Sequence, residues 1–321
     1  MYAYIKGTLE EINAQMQEEF LNNAYECLNQ AYIEVAYEEK EKRGYCTVLI
    51  YIDGSDLESD YGAAAMDLKE MERAVNKADP EGENIHIVVE AGGAKVWKYE
   101  HMEPYEYGRF CITGKGVSKV EAMEARDMGR SDTLADFINY GTQSYLAEHY
   151  GLIFWNHGSG QIQGFGSDEN FEESALGLKE IKDGFEKSSY EDTFDFIGMD
   201  ACLMSNIELI AVLQEKTEYF IASEDLELEE GYDYKWMEML IETDLDKEYG
   251  ESVGNAILSS YKEFYQEQPF PYTMTVIDME EYEAFSNALE EIMDTIWLQM
   301  ANEEDAVYRK LGSLRSKIQG F

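Results

Sequence analysis

Two stretches, Gly151-Leu-Ile-Phe-Trp-Asn-His157-Gly158-Ser-Gly160 and Phe194-Asp-Phe-Ile-Gly-Met-Asp200-Ala201-Cys202-Leu203-Met204, decide how the chain folds. Each is a short apolar run that stops at a chemically able residue. Leu152–Trp155 and Phe194–Met199 have the length and the aromatic and β-branched content of strands buried in a sheet. His157 follows the first strand in a glycine-flanked turn, and Cys202 follows the second, ahead of a helical pattern. Ligands of open α/β sheets bind outside the carboxyl ends of the strands. A His at one such end and a Cys at the next are therefore a candidate pair for thiol chemistry.

Outward from these runs, strand and helix alternate. Thr47–Ile52 reads as a buried strand entering the polar loop Asp53-Gly54-Ser55-Asp56-Leu57. A helix carrying Met66, Leu68, Met71 and Val75 follows, closed by the turn signal Asp79-Pro80-Glu81-Gly82. Ile85–Glu90 is a second strand. The alternation of Lys95–Tyr99 predicts a strand with one wet face, with Tyr107–Ile112 pairing beside it. Ser131 or Asp132 is placed to cap a helix that reaches Glu148. Helices are predicted near 176–187, after Cys202 on Leu203, Ile207, Ile210 and Leu213, and over 234–243 and 248–266. Tyr219–Ala222 and Thr273–Asp278 read as strands. Residues 8–40 and 279–318 are mostly helical in pattern. This order predicts an α/β fold with a doubly wound, mostly parallel sheet flanked by helices. The expected organisation is a helical segment over 1–44, the α/β domain over 45–280 and a further helical segment over 281–321.

The formal net charge is −42. Such a surface repels phosphate backbones and anionic lipid, so neither nucleic acid nor a membrane surface is an expected partner. Cationic peptides and Ca²⁺ are drawn in by the same field. Apolar residues make up 45% of the chain, as in soluble globular domains, yet none of their runs reaches the eighteen residues of a membrane span. Glu10, Glu11, Glu18 and Glu19 stand where an export signal needs a basic start and an apolar run, and the compartment stays open. Cys27, Cys46, Cys111 and Cys202 have no metal-ligand spacing and no disulfide framework. The first three read as core thiols. His86, His101 and His149 are scattered and make no zinc set. Neither G-x-S-x-G nor G-x-G-x-x-G is formed, which argues against a serine nucleophile and a dinucleotide site.

The chemistry of the remaining pair is specific. A thiol attacks as its thiolate, and an adjacent imidazole or helix N-terminus lowers its pKa. Cys202 ahead of a helix meets that condition, and His157 can protonate a departing amine. The backbone N–H groups of Gly158 and Cys202 are candidates for an oxyanion hole.

The motifs resemble those of the clostripain-like cysteine peptidases, whose fold relates them to caspases, legumains and gingipains. The resemblance covers most of residues 45–280. It is carried by Thr47–Gly54, Gly93-Ala-Lys-Val-Trp97, Asp127-Met-Gly129 with Thr133–Phe137, His149–Gly160, Asp195–Met204 and Ala222-Ser223-Glu224. It implies a caspase-like fold and an endopeptidase in which Cys202 is the nucleophile and His157 its dyad partner. Asp200, two residues before the nucleophile, matches the acid of the S1 pocket that selects Arg or Lys before the cut bond. Ser223 and Glu224 match its substrate-binding loop. The bland alternative for Asp200 is an N-cap of the following helix. The five acids of 224–230 either add to basic selectivity or are solvated. The chemistry requires no cofactor. Some relatives use Ca²⁺, for which Asp53, Asp56 and Glu58 are the candidate oxygen ligands, without EF-hand spacing. Some mature by self-cleavage between His and Cys, where Lys179, Lys182 and Lys187 are the available basic residues. Two rival readings stand beside the endopeptidase: a catalytically silent peptide- or protein-binding member of the same fold, and a cysteine hydrolase of small amides.

Overall fold

The computed structural model describes residues 43–228, 230–241, 248–269, 271–302 and 304–317. The helical pattern over 8–40, with Cys27, lies outside them. Ten strands carry the fold: β1 Gly44–Asp53, β2 Ile85–Gly92, β3 Tyr107–Thr113, β4 Gly116–Met123, β5 Ala147–Trp155, β6 Phe165–Asp168, β7 Ser174–Leu176, β8 Phe194–Asp200, β9 Thr217–Ala222 and β10 Thr275–Asp278. The helices are α1 Ala63–Ala78, α2 Ser131–Ser144, α3 Leu178–Lys187, α4 Ile207–Leu213, α5 Tyr249–Tyr265, α6 Tyr282–Asn302 and α7 Glu304–Arg315.

Eight strands form one sheet in the order β10-β9-β8-β5-β1-β2-β3-β4. The five central strands, β9 to β2 in that order, are parallel; β10, β3 and β4 join antiparallel at the two edges. The parallel strands are mostly apolar in their middles because both faces are covered. On one face Leu68, Met71 and Val75 of α1 pack with Val253, Ile257 and Tyr261 of α5. On the other, Leu134, Phe137 and Ile138 of α2 pack with Ile181 and Phe185 of α3 and Leu209 and Leu213 of α4. Each such side chain, fully withdrawn from water, contributes about 1.5–3 kcal/mol before entropy is counted. This is the doubly wound α/β sheet that the alternation predicts.

Three local expectations differ. Lys95–Tyr99 is a loop, not a strand: Trp97 and Tyr99 tuck into the core, while the Lys95 and Val96 N–H groups bond to Ser59 Oγ. Tyr107–Ile112 therefore pairs with β2 on one side and with β4 on the other. The helix over 131–144 begins after Arg130, whose side chain makes no cap; neither Ser131 nor Asp132 takes that place.

From β1 the chain steps to β2 on one side, then returns to lay β5 against the other side of β1. The order reverses between β1 and β5, so loops leaving their carboxyl ends diverge and open a crevice there. In register, Trp155 faces Ile52 on β1 and Asp200 on β8. The ends of β1, β5 and β8 thus lie along one rim.

Candidate active site

His157 leaves β5 and Cys202 leaves β8, two neighbouring parallel strands, and both line one cavity of about 230 Å³. Asp200 lines the same cavity beneath them, with Asp67, Trp155 and Glu227. The sequence thus places these groups on one rim, and the structure brings them together.

The His157 turn is fixed from β1. The Asn156 amide donates to Asp53 O and, at 2.9 Å, to Ser55 Oγ, while Asn156 Oδ1 accepts the His157 N–H. His157 Nε2 lies 2.8 Å from Asp56 Oδ1. Burial alone would raise Asp56; the His157 contact outweighs it and holds the carboxyl low. Asp56 thereby favours a proton on Nε2 and leaves Nδ1, which makes no hydrogen bond among the described residues, as the basic nitrogen. The His157 ring makes no hydrogen bond to Cys202 either.

Gly158 is packed so closely on Cys202 that a Cβ would come within 1.9 Å of Cys202 O. It forms a bridge with Phe165 in which the flanking residues supply the bonds, Gly166 N–H to His157 O and Ser159 N–H to Gly164 O. The Gly158 N–H takes no part in that ladder.

Cys202 is followed by Leu203 in a left-handed conformation, φ 63°, whose N–H bonds to Asp225 O at 3.0 Å. Backbone outliers of this kind are held in place by their surroundings, often at functional turns. Helix α4 begins only at Ile207 and is capped by Asn206, whose Oδ1 accepts the Leu209 N–H. One alternative falls and one expectation is corrected. Asp200 is not the cap, and the helix does not start at the thiol. Burial pushes the Cys202 thiol up, partly offset by the Glu227 N–H, which donates to Sγ at 3.2 Å. The nearby Asp200 and Asp225 push in the same direction as burial. Cys46 and Cys111 are buried in the sheet, where desolvation pushes them up to about 12 and about 11.

Asp200 is 4% exposed. Its oxygens accept Tyr232 N–H at 3.0 Å and Tyr234 Oη–H at 2.8 Å. Burial raises its pKa to about 6 against those bonds. Asp67, on α1, accepts the Trp155 indole N–H at 2.7 Å and is likewise raised by burial and by the Asp200 charge. Glu227 is raised well above its ordinary value by burial, then by Asp200 and Cys202. Asp67 and Glu227 escape a reading of the sequence. The first is one acid of a helix, and the second is one of five in a run with the look of a solvated loop.

Ser223 and Glu224 do not line the cavity. Ser223 is buried, with Oγ 2.8 Å from Thr273 Oγ1, and Glu224 is exposed. The three candidate calcium ligands are separately engaged. Asp53 Oδ2 accepts Ser167 N–H, Asp56 holds His157, and the Glu58 carboxylate accepts the N–H groups of Ala65 and Lys98. Among the described residues no group of three or more His, Cys, Asp or Glu is arranged for a metal ion.

The model of the clostripain family matches residues 50–317. The chain belongs to the clostripain family. It is a cysteine peptidase by that membership. Solved clostripain-family relatives share its fold. A secreted C11 cysteine protease from Bacteroides thetaiotaomicron, in complex with an irreversible peptide inhibitor, is 21% identical with a TM-score of 0.63, covering 78% of this chain and 70% of that one. A second structure of a secreted C11 protease from that organism, iotapain, gives 17% and 0.64, covering 79% and 71%. An inactive zymogen C11 protease from Parabacteroides distasonis gives 23% and 0.53, covering 75% and 64%. No functionally curated protein matches the chain. Among the described residues no helix is long and apolar enough to cross a membrane.

Proposed function

We propose that this clostripain-family chain is an endopeptidase cutting after Arg or Lys, with Cys202 as nucleophile, His157 as proton carrier and Asp200 in the S1 pocket. The observation that carries this reading is the cavity beside Cys202, lined by Asp67, Asp200, Glu227 and Glu230 and, among the described residues, by neither Lys nor Arg. Buried carboxylates are unfavourable unless a cation joins them, and a basic substrate side chain supplies one. Cys202 Sγ would attack the scissile carbonyl as its proton passes to His157. The C–N bond then breaks as His157 returns that proton to the amine, and water hydrolyses the thioester. The Gly158 and Cys202 N–H groups face the developing oxyanion in this scheme. A cation in the pocket also relieves the repulsion that Asp200 exerts on the thiolate.

The reading is tested with fluorogenic peptides ending in Arg, Lys or norleucine, using reduced protein with and without Ca²⁺. Turnover of the basic pair, lost on thiol alkylation and in Cys202→Ala, is expected. Turnover that survives alkylation would require another nucleophile. Absence of turnover in every condition would favour a silent, peptide-binding member of the fold.

A further inference from the structure

We propose that a second cavity, on the His157 side of the active site, is the subsite for the residue that follows the cut bond, and that it takes a large apolar side chain, aromatic above all. This rests on the Cys202 and His157 dyad of the proposed function, not on which residue enters the cavity beside Cys202, and goes beyond it by assigning the leaving side of the substrate. The second cavity measures about 610 Å³. Leu57, Ala63, Asp67, His157 and Glu230 line both cavities, whereas Cys202 and Asp200 line only the smaller. The two therefore meet at the imidazole. In a cysteine peptidase the imidazole gives its proton to the leaving nitrogen. The residue before the cut bond stays tethered to Sγ, so the residue carrying that nitrogen departs past His157, toward the larger cavity.

Three separate elements give this cavity apolar walls. Tyr61 ends the turn Leu57–Tyr61, Met66 lies on α1 and Phe264 on α5; they are 62%, 55% and 48% exposed. Single exposed apolar residues are ordinary, but three around one cavity that adjoins a catalytic residue mark a binding site. Ala63, Met66, Asp67 and Glu70 line it at i, i+3, i+4 and i+7, one side of α1. Both rims are held in place by the fold. The Glu58 carboxylate accepts the N–H groups of Ala65 and Lys98, which ties the Tyr61 turn to α1. Tyr265 Oη donates to Gly231 O at 2.9 Å and Ser260 Oγ to Asp233 Oδ2 at 2.6 Å, which ties the 231–233 loop to α5 beside Phe264. Preformed walls lose little freedom when a side chain enters. The acids here are largely engaged, Asp56 with His157, Asp67 with the Trp155 indole and Asp233 with Ser260. What remains for a new side chain is apolar surface. With no Lys or Arg lining the cavity among the described residues, a substrate carboxylate is the least favoured occupant.

The test uses internally quenched peptides that share the residue the parent prefers before the cut bond and carry Phe, Leu, Lys, Ala or Asp after it. From Phe through Leu to Ala, kcat/KM should fall by roughly tenfold in all, with Asp lowest. In Phe264→Ala and Met66→Ala, both at exposed positions, the Phe-to-Ala ratio should shrink to about threefold or less. Acyl transfer is a second readout, in which an amino-acid amide competes with water for the acyl-enzyme. Its amine attacks the thioester carbonyl, a new amide bond forms, and Cys202 leaves as the thiol. Phenylalanine amide should capture more of the acyl group than alanine amide, and Phe264→Ala should level the two. Equal rates for Phe and Ala, a preference for Lys, or ratios unchanged in both variants overturn this proposal alone. So do variants that alter only the choice of the residue two before the cut bond, which would put the other side of the substrate in the cavity. Turnover that persists in Cys202→Ala, or no turnover of any peptide, overturns it together with the dyad reading.

Discussion

Buried carboxylates occur in two places on this sheet, and they are treated in opposite ways. On β2, Glu90 is wholly buried, with Arg109 Nε at 2.8 Å and Arg126 at 3.5 Å. Asp136 accepts from both arginines at 2.6 and 2.7 Å. Every charge there has an opposite charge within the chain, and burial still raises Glu90. At the carboxyl ends of β5 and β8, Asp200, Glu227 and Asp67 line a cavity that, among the described residues, has neither Lys nor Arg. The first cluster is matched in charge as folded, although Glu90 Oε1 makes no hydrogen bond among the described residues. Under the proposed basic-substrate reading, the second would be completed by a cation from outside.

The largest expected effect separates the two by stability. Arg109→Ala strands a buried carboxylate and should cost about 3–5 kcal/mol, seen in denaturant unfolding. Any enzyme that remains folded should keep its preference at the cut bond. A shift of preference in that variant would erase the distinction between the clusters. Asp200→Asn should do the reverse. Stability changes little, and kcat/KM on basic substrates falls by about 2–5 kcal/mol, mainly through KM. An unchanged substrate profile would move selectivity to other residues of the cavity.

Acid titration sharpens the contrast further. Asp200 is raised from 3.8 to about 6, so the folded state holds a proton that the unfolded state releases earlier. Its contribution to stability is fully present below about 3.8 and is lost as pH rises through about 6. Cation binding has the opposite sign, because it needs the carboxylate. KM for an Arg peptide should rise about fivefold from pH 6 to pH 5, and Asp200→Asn should flatten that limb. A flat profile in the parent would remove Asp200 from binding. The smallest effect concerns Asp56, whose bond to His157 is half exposed. Asp56→Asn should lower kcat by about two- to fivefold with KM unchanged.

The central strands were legible because both their faces are buried, which leaves unbroken apolar runs such as Val48–Ile52 and Leu152–Trp155. The order His157 then Cys202 at successive strand ends carried the site. β4 was not legible. Its Gly116–Met123 residues are mostly exposed, so no apolar face marks the strand. Lys95–Tyr99 has the opposite problem. Alternating burial arises there from a loop whose aromatic residues point inward, without any strand to pair with. At the site, Glu227 is indistinguishable in sequence from its exposed neighbour Glu224, and only the turn at Leu203 brings the loop over the thiol. The start of α4 was misplaced for a related reason: Asn206 outcompetes Asp200 as cap because Asp200 is still inside β8.

The account turns most directly on what residue this chain accepts before the bond it cuts. Incubating the reduced full chain with a peptide library and reading the new termini by mass spectrometry should give cleavage after Arg or Lys, and none once Cys202 is alkylated. Cleavage after apolar or acidic residues, at a site still dependent on Cys202, would contradict the claim that the acid-lined cavity reads a cation.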